Sequence, residues 1–231
     1  MGKEFLDRNL ALEAVRVTEA AALSSSFHMG RGNEKAADQA AVNAMREFLN
    51  NLSIDGRVVI GEGERDKAPM LYIGEKVGMG GPKVDIALDP LEGTTITAKG
   101  GENALSVLAM AEQGGFLHSP DIYMHKIAYG KKYESLDIDP ESPSDEIVKN
   151  FAKYSGIKIE NIVVCILDRP RHKELIDKVR SIGARIKLIP DGDVSAVIAT
   201  SFENSGVDIY MGIGGSPEGV LAAAALRCIG G

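Results

Sequence analysis

The sequence predicts an α/β protein, because apolar runs of strand length alternate with amphipathic segments of helix length. The alternation is strictest in the second half, with strands at 162–167, 186–189 and 207–211 and helices at 171–182, 194–202 and 218–227. The first half predicts helices at 5–26 and 36–52 and strands at 57–60, 84–88, 104–111 and 122–128. We expect the strands at 104–111 and 122–128 to pair across Gly114 and Gly115.

Composition limits the partners this chain can have. It contains 231 residues, 44% of them hydrophobic, and carries a net charge of -7. Binding to nucleic acid requires a basic face, so we expect no nucleic-acid partner. No uncharged apolar stretch reaches the roughly 18 residues of a membrane span, and the N-terminus is charged where a signal peptide would be apolar. We therefore expect a cytoplasmic protein with no membrane partner.

Residues 89–95, Asp-Pro-Leu-Glu-Gly-Thr-Thr, place two carboxylates and two hydroxyls directly after a predicted buried strand. Pro90 cannot continue a strand ladder, so we expect the strand to end at Asp89 and the chain to turn through Gly93. If Thr94 opens a helix, the first N–H groups of that helix can bind an anion such as phosphate. The motif therefore indicates a metal-assisted phosphate site.

Other acidic residues occur in similar contexts. Glu62 lies in a Gly-Glu-Gly-Glu turn, Glu218 lies at a predicted helix start, and Asp38 lies in the second predicted helix. Clustered carboxylates repel one another by roughly 4 kcal/mol per pair at about 4 Å, so a fold that gathers them needs cations. All-oxygen ligands favour Mg²⁺ or Mn²⁺. The alternative is that these acids are ordinary solvated surface charges.

Two later motifs contain groups suited to a phosphorylated sugar. Arg169 and Arg171 follow a predicted strand and could bind phosphate through bidentate hydrogen bonds, or could simply be a solvated helix terminus. Asp191 and Asp193 follow the next predicted strand and could accept hydrogen bonds from sugar hydroxyls. Asp193 could equally be only a helix N-cap.

The glycine-rich segment 212–218 is interpreted as a loop between a strand and a helix. It does not fit a dinucleotide fingerprint, because Pro217 stands where the third glycine is required. As a loop it could cradle a phosphate while Glu218 binds metal. The four histidines lack metal-binding spacing and are expected to be structural or surface residues.

Taken together, these motifs resemble the class II fructose-1,6-bisphosphatases of the lithium-sensitive, metal-dependent sugar phosphatase superfamily. The resemblance covers almost the whole chain. It is carried by segments 61–64, 68–72, 89–95, 166–172, 191–194 and 214–219. It implies a layered α/β/α/β/α sandwich.

The resemblance also implies three sets of site residues. The implied metal ligands, for Mn²⁺ or Mg²⁺, are Asp38, Glu62, Asp89, Glu92 and Glu218. The implied substrate contacts are Glu92, Gly93, Thr94, Tyr123, Arg169, Pro170, Arg171, Asp191, Gly192, Asp193 and Gly215. The implied catalytic residues are Thr94, which would orient or deprotonate the attacking water, and Glu62.

The polar, proline-bearing segment 131–144 is the best candidate for a domain boundary. We predict a sheet-rich, metal-binding N-terminal domain over 1–135 and a parallel α/β substrate-binding domain over 136–231. Compared with the family, the second domain is expected to be truncated at Gly231, and residues 33–35 read Asn-Glu-Lys where the family more often has Asp-Lys-Asn.

The resemblance implies hydrolysis of the 1-phosphate of fructose 1,6-bisphosphate to fructose 6-phosphate and phosphate, assisted by two or more divalent ions. Arg169 and Arg171 would bind the remote 6-phosphate. The partner is then a small-molecule sugar bisphosphate, and we expect a homo-oligomer. Alternatives are sedoheptulose bisphosphate or an inositol phosphate as substrate, or a non-catalytic sugar-phosphate-binding paralogue.

Overall fold

The computed structural model describes residues 8–63 and 70–231, which form two compact units divided between Asp121 and Ile122. Each unit combines helices with a sheet, so the predicted α/β class is confirmed. The predicted helix start at Phe5 and the motif residues Glu64, Ala68 and Pro69 lie outside the described residues. Across the described ranges, the helices are all too short or too polar to cross a lipid bilayer.

The first unit packs two long helices against one sheet. Helix α1 spans Arg8–Ser26 and helix α2 spans Glu34–Asn50. The strands are β1 (Asp55–Ile60), β2 (Lys76–Val77), β3 (Lys83–Glu92) and β4 (Leu105–Glu112), in the sheet order β2-β1-β3-β4. Strands β1 and β3 are parallel, whereas β2 and β4 are antiparallel to their neighbours. The short helix α3, Thr94–Lys99, follows β3 directly.

Helix α2 shows why this unit folds as the sequence predicts. Ala37, Ala41, Met45 and Leu49 recur every four residues, and all four are fully buried. The side chain of Asn33 accepts a hydrogen bond from the Ala36 N–H at 3.1 Å and so caps the helix. The apolar face therefore fixes the rotation of α2 about its axis.

The second unit contains the strands β5 (Tyr123–Tyr129), β6 (Val163–Leu167), β7 (Arg185–Ile189) and β8 (Ile209–Gly215), in the order β5-β8-β6-β7. Strand β6 is parallel to β7 and β8, and β5 is antiparallel to β8. The helices are α4 (Ser144–Ser155), α5 (Lys173–Ser181), α6 (Asp193–Ala199) and α7 (Ser216–Ile229). The predicted alternation of strands and helices is thus confirmed, with shifted boundaries.

The predicted hairpin between 104–111 and 122–128 is wrong. Strand β4 pairs with β3, and β5 pairs with β8 of the other sheet. Gly114 and Gly115 give a strong local turn signal, but contacts distant in sequence decide each strand's partner. Because β5 is hydrogen-bonded into the second sheet, the compact units divide before it and not at 135/136. The functional roles predicted for the two domains stay predictions.

Strand β3 also continues further than predicted. It runs through Pro90 to Glu92, and its pairing with β4 changes register between Asp89 and Glu92. This irregularity accommodates the proline, which has no N–H to donate to a regular ladder. Asp89 therefore lies within a strand and not at its end. Helix α3 begins at Thr94, as predicted.

Met45→Ala should lower the free energy of unfolding by about 2 to 5 kcal/mol, because it leaves a cavity beneath the fully buried face of α2. Chemical denaturation monitored by circular dichroism measures this loss. The exposed Glu47 on the same helix is the control, and Glu47→Ala should change stability by no more than about 0.5 kcal/mol. Equal effects of the two substitutions would contradict the assigned rotation of α2.

Candidate functional site

In the first unit, the structure brings Glu62 and Asp38 together. Glu62 follows β1, and its N–H donates to the Leu71 carbonyl at 3.0 Å, which fixes the turn after the strand. Burial, and next the nearby charge of Asp38, raise the pKa of Glu62 from 4.5 to about 7. Burial also raises the pKa of Asp38. The two carboxylates are therefore partly buried and close enough for their charges to repel, which a cation would relieve.

The remaining predicted acids of this unit lie on β3. The Oδ1 atom of Asp89 accepts a hydrogen bond from the Leu91 N–H at 3.0 Å, and the Ser106 hydroxyl donates to the Pro90 carbonyl at 2.8 Å. These contacts stabilise the irregular part of the strand. Glu92 is the last residue of β3, directly after this irregular part, and is 5% exposed.

Gly93 connects these acids to α3. It caps the helix in a left-handed conformation with φ 97°, which a residue with a Cβ atom rarely adopts. Thr94 is the first helical residue and is half-buried. The turn between α1 and α2 is bonded to the same helix, since Gly30 and Gly32 donate to the carbonyls of Thr97 and Ala98 at 3.0 and 2.8 Å.

In the second unit, the structure joins the Arg-Pro-Arg segment to the Asp-Gly-Asp segment. The guanidinium of Arg169 donates to the Asp191 carboxylate at 3.2 Å and to the Pro190 carbonyl. Arg169 follows β6 and Asp191 follows β7, so two neighbouring parallel strands present these groups at the same sheet edge. Arg169 is therefore not a freely solvated helix terminus.

Arg171 is held by strands β5 and β8. Its Nε donates to the Ile213 carbonyl at 2.9 Å, and its guanidinium carbon lies 4.7 Å from the centroid of the Tyr123 ring. Both contacts fix the plane of the guanidinium. Arg171 and Lys126 also line a cavity of about 440 Å³ within this unit.

His172 attaches the Arg-Pro-Arg segment to two strands. It is 1% exposed, and its Nε2 accepts a hydrogen bond from the Ile213 N–H at 2.8 Å. Its Nδ1 therefore carries the proton and donates to the Leu167 carbonyl at 2.7 Å. The ring links the end of β6 to β8, which confirms the expectation that this histidine is structural.

Asp193 lies at the centre of a buried polar network. It is 5% exposed, and its Oδ2 accepts hydrogen bonds from the Lys126 ammonium at 2.7 Å and from the Tyr210 hydroxyl at 3.1 Å. Burial, and next the Asp193 charge, raise the pKa of Tyr210 far above its usual value, so the hydroxyl keeps the proton that it donates. The N-cap interpretation of Asp193 is wrong, because Gly192 occupies the cap and Asp193 is the first helical residue.

The glycine segment is not the predicted loop but the end of a strand, and its predicted phosphate-binding role stays a prediction. Gly212, Gly214 and Gly215 belong to β8 and pair with Lys126, Met124 and Tyr123 of β5. Helix α7 begins directly at Ser216. The glycines are needed because buried side chains pack against the strand. A Cβ atom on Gly214 would lie 2.5 Å from Oδ2 of Asp193.

Glu218 lies in the first turn of α7, against Gly215, where a Cβ atom would overlap its Oε2. Of the five predicted metal ligands, four lie in the first unit and Glu218 lies in the second. Among residues 8–63 and 70–231, no three His, Cys, Asp or Glu side chains form a group that could enclose a metal ion. The metal, substrate and catalytic roles of these residues stay predictions.

Comparison with known proteins decides the family. The profile described as "Bacterial fructose-1,6-bisphosphatase, glpX-encoded" matches residues 8–231. The chain belongs to the class II fructose-1,6-bisphosphatase family. It is 51% identical over 225 residues to "Fructose-1,6-bisphosphatase 1 class 2" of Escherichia coli (strain K12). The same identity relates it to "Fructose-1,6-bisphosphatase class 2" of Escherichia coli O6:H1 and of Shigella flexneri. Each match covers 97% of this chain and 67% of the relative.

Two buried residues that donate to Asp193 were not predicted from the sequence of this class II fructose-1,6-bisphosphatase chain. They are Lys126 and Tyr210. A signal for Lys126 is present, because Met124, Lys126 and Ala128 alternate along one strand and therefore share a face. Ala128 is 6% exposed and Lys126 is 8% exposed, so this face points inward. Nothing local indicates that the Tyr210 hydroxyl reaches Asp193, since the two residues lie on different elements.

The raised pKa of Glu62 predicts how stability depends on pH in the metal-free protein. The folded chain keeps this proton up to about pH 7, whereas the unfolded chain releases it near 4.5, so the folded state binds more protons in between. The free energy of unfolding should therefore fall by roughly 1 to 3 kcal/mol as the pH rises from about 5 to about 8.

Urea unfolding of chelator-treated protein measures this dependence. In Glu62→Gln the fall attributed to Glu62 should be absent, while Glu47→Gln, a substitution on the exposed side of α2, should keep the wild-type dependence. Identical pH profiles for wild type and Glu62→Gln would disprove the burial argument.

Proposed function

We propose that this chain is a phosphoric monoester hydrolase that converts fructose 1,6-bisphosphate to fructose 6-phosphate and phosphate. The observation that carries the proposal is 51% identity, over 97% of the chain, to a relative named as a class 2 fructose-1,6-bisphosphatase. Arg169 and Arg171 at one sheet edge also favour a second phosphate on the substrate. A cytoplasmic location and a homo-oligomeric state remain part of the proposal.

The residues present suit a hard divalent cation, Mg²⁺ or Mn²⁺. The charges of Asp38 and Glu62 interact, and within the described part of the chain the buried Oε2 of Glu218 has no hydrogen-bond donor. A set of carboxylate oxygens fits Mg²⁺ or Mn²⁺ and not a softer metal. We propose as ligands Asp38, Glu62, Asp89, Glu92 and Glu218. When bound, the cations would neutralise charge on the phosphoryl oxygens and make water a better nucleophile.

The chain's own residues would position the reactants. Thr94, fixed at the start of α3 by Gly93, is proposed to orient or deprotonate the attacking water through its hydroxyl. Glu62 is proposed as the second catalytic residue. Its turn is fixed by the hydrogen bond to Leu71, so its carboxylate needs little reorganisation during the reaction.

The second unit would bind the part of the substrate that does not react. Arg171 can bind the 6-phosphate, because the Ile213 carbonyl and the Tyr123 ring already fix its guanidinium plane. The proposed substrate contacts in this unit are Tyr123, Arg169, Pro170, Arg171, Asp191, Gly192, Asp193 and Gly215, and those in the first unit are Glu92, Gly93 and Thr94. Binding energy far from the reacting bond then holds the 1-phosphate in place.

Phosphate release at saturating Mn²⁺ tests the proposed chemistry. Glu92→Gln and Thr94→Ala should each lower kcat by about 100-fold or more, since both remove groups at the reacting phosphate. Glu112→Gln is the matched control, because Glu112 is an exposed acid on the neighbouring strand β4. Wild-type rates in both Glu92→Gln and Thr94→Ala would refute these assignments. Substrate binding without turnover in the wild type would instead indicate a non-catalytic sugar-phosphate-binding protein.

A comparison of two substrates tests Arg171. Arg171→Met should lower kcat/KM for fructose 1,6-bisphosphate by about tenfold or more, because a charged hydrogen bond to the 6-phosphate is lost. For fructose 1-phosphate, which lacks that group, kcat/KM should change less than about threefold. The exposed Arg180 of α5 provides the control Arg180→Met, which should match wild type on both substrates. Equal losses on both substrates would contradict a 6-phosphate contact.

A further inference from the structure

Lys126 is an unusual residue for the buried face of a strand. It lies in the middle of β5 and is 8% exposed, and its ammonium contacts the Asp193 carboxylate at 2.7 Å. Burial of a lone ammonium or carboxylate is strongly unfavourable, so each of these charges depends on the other. The buried pair therefore links a strand to the first turn of helix α6.

The pair is organised around one oxygen of the carboxylate. The Lys126 ammonium and the Tyr210 hydroxyl both donate to Oδ2 of Asp193, and neither donates to Oδ1. Two donors on Oδ2 fix the plane of the carboxylate, and with it the direction of Oδ1. Asp193 also directly follows Asp191 and Gly192, and Asp191 is bonded to Arg169.

The same pair supports the end of β8. A Cβ atom on Gly214 would lie 2.5 Å from Oδ2 of Asp193 and 3.0 Å from Nζ of Lys126, so the strand backbone passes directly over the two charges. A Cβ atom on Gly219 of α7 would lie 3.3 Å from Cε of Lys126. Three segments thus meet around the end of the Lys126 side chain: the start of α6, the end of β8 and the first part of α7.

We propose that Lys126 is a positioning residue for the sugar-binding part of the site. With Tyr210, it holds the Asp193 carboxylate so that Oδ1 can accept a hydrogen bond from a substrate hydroxyl, and it keeps the backbone of β8 at Gly214 in place beside Asp193. Lys126 itself does not touch substrate. This inference rests on the proposed function in one respect, namely that Asp193 binds the sugar.

The test is a comparison of kcat and KM for fructose 1,6-bisphosphate at saturating Mn²⁺. Lys126→Met keeps most of the side-chain length but removes the charge, and it should raise KM about tenfold or more with a smaller change in kcat. Tyr210→Phe removes only the hydroxyl and should raise KM by about threefold. Lys187→Met, on the exposed surface of β7 in the same sheet, should leave both constants unchanged.

A double-substitution cycle separates positioning from general damage to the fold. If Lys126 acts through Asp193, Lys126→Met should change KM less than about twofold in an Asp193→Asn background. Multiplicative losses in the double variant, or an unchanged KM in both Lys126→Met and Tyr210→Phe, would overturn the proposal. If Lys126→Met does not fold, the cycle between Tyr210→Phe and Asp193→Asn applies the same criterion.

Turnover by the wild-type protein distinguishes failure of the Lys126 proposal from failure of the proposed phosphatase function. Turnover in wild type with no effect of these substitutions on KM would remove the role of Lys126 and leave the phosphatase function standing. Absence of turnover on every sugar bisphosphate in wild type would end both proposals.

Discussion

Carboxylates held away from bulk water constrain both units of this protein. In the first unit Glu62 is partly buried and its charge interacts with that of Asp38, and in the second unit Asp193 is 5% exposed. The two units balance this charge differently. Asp193 has a permanent partner in Lys126, whereas Glu62 holds a proton up to about pH 7. Metal binding requires a deprotonated carboxylate, so a metal ion bound at Glu62 would displace this proton.

The neighbouring backbone is shaped by these charges. Strand β8 passes so close to Asp193 and Glu218 that a Cβ atom on Gly214 or Gly215 would overlap their carboxylates as they are placed here. The ring of His172 fills the space beside Gly212 and satisfies backbone groups of two strands at once. These glycines therefore serve the packing of functional side chains, and they do not form a flexible loop.

Much of the fold could be predicted from local sequence patterns. The four-residue spacing of alanines and Met45 predicts α2, and the alternation after residue 160 predicts most of the second unit. The predictions failed where distant contacts override a local signal. Gly114 and Gly115 suggest a hairpin, but β4 and β5 pair elsewhere. Pro90 suggests a strand end, yet a register shift lets β3 continue to Glu92. The alternation along β5 places Lys126 on the same face as Ala128, but only the tertiary fold shows that its charge is paired with Asp193.

The turn between α1 and α2 is joined to a helix that is distant in the sequence. Its glycines, Gly30 and Gly32, are bonded to the carbonyls of Thr97 and Ala98, in the helix that begins at Thr94. Surface turns usually tolerate insertions, because little else depends on their path. Here an added residue should break both hydrogen bonds to α3 and shift the Thr94 hydroxyl at the start of that helix. A change in the length of this turn is therefore expected to disturb α3, although the turn lies more than sixty positions earlier in the chain.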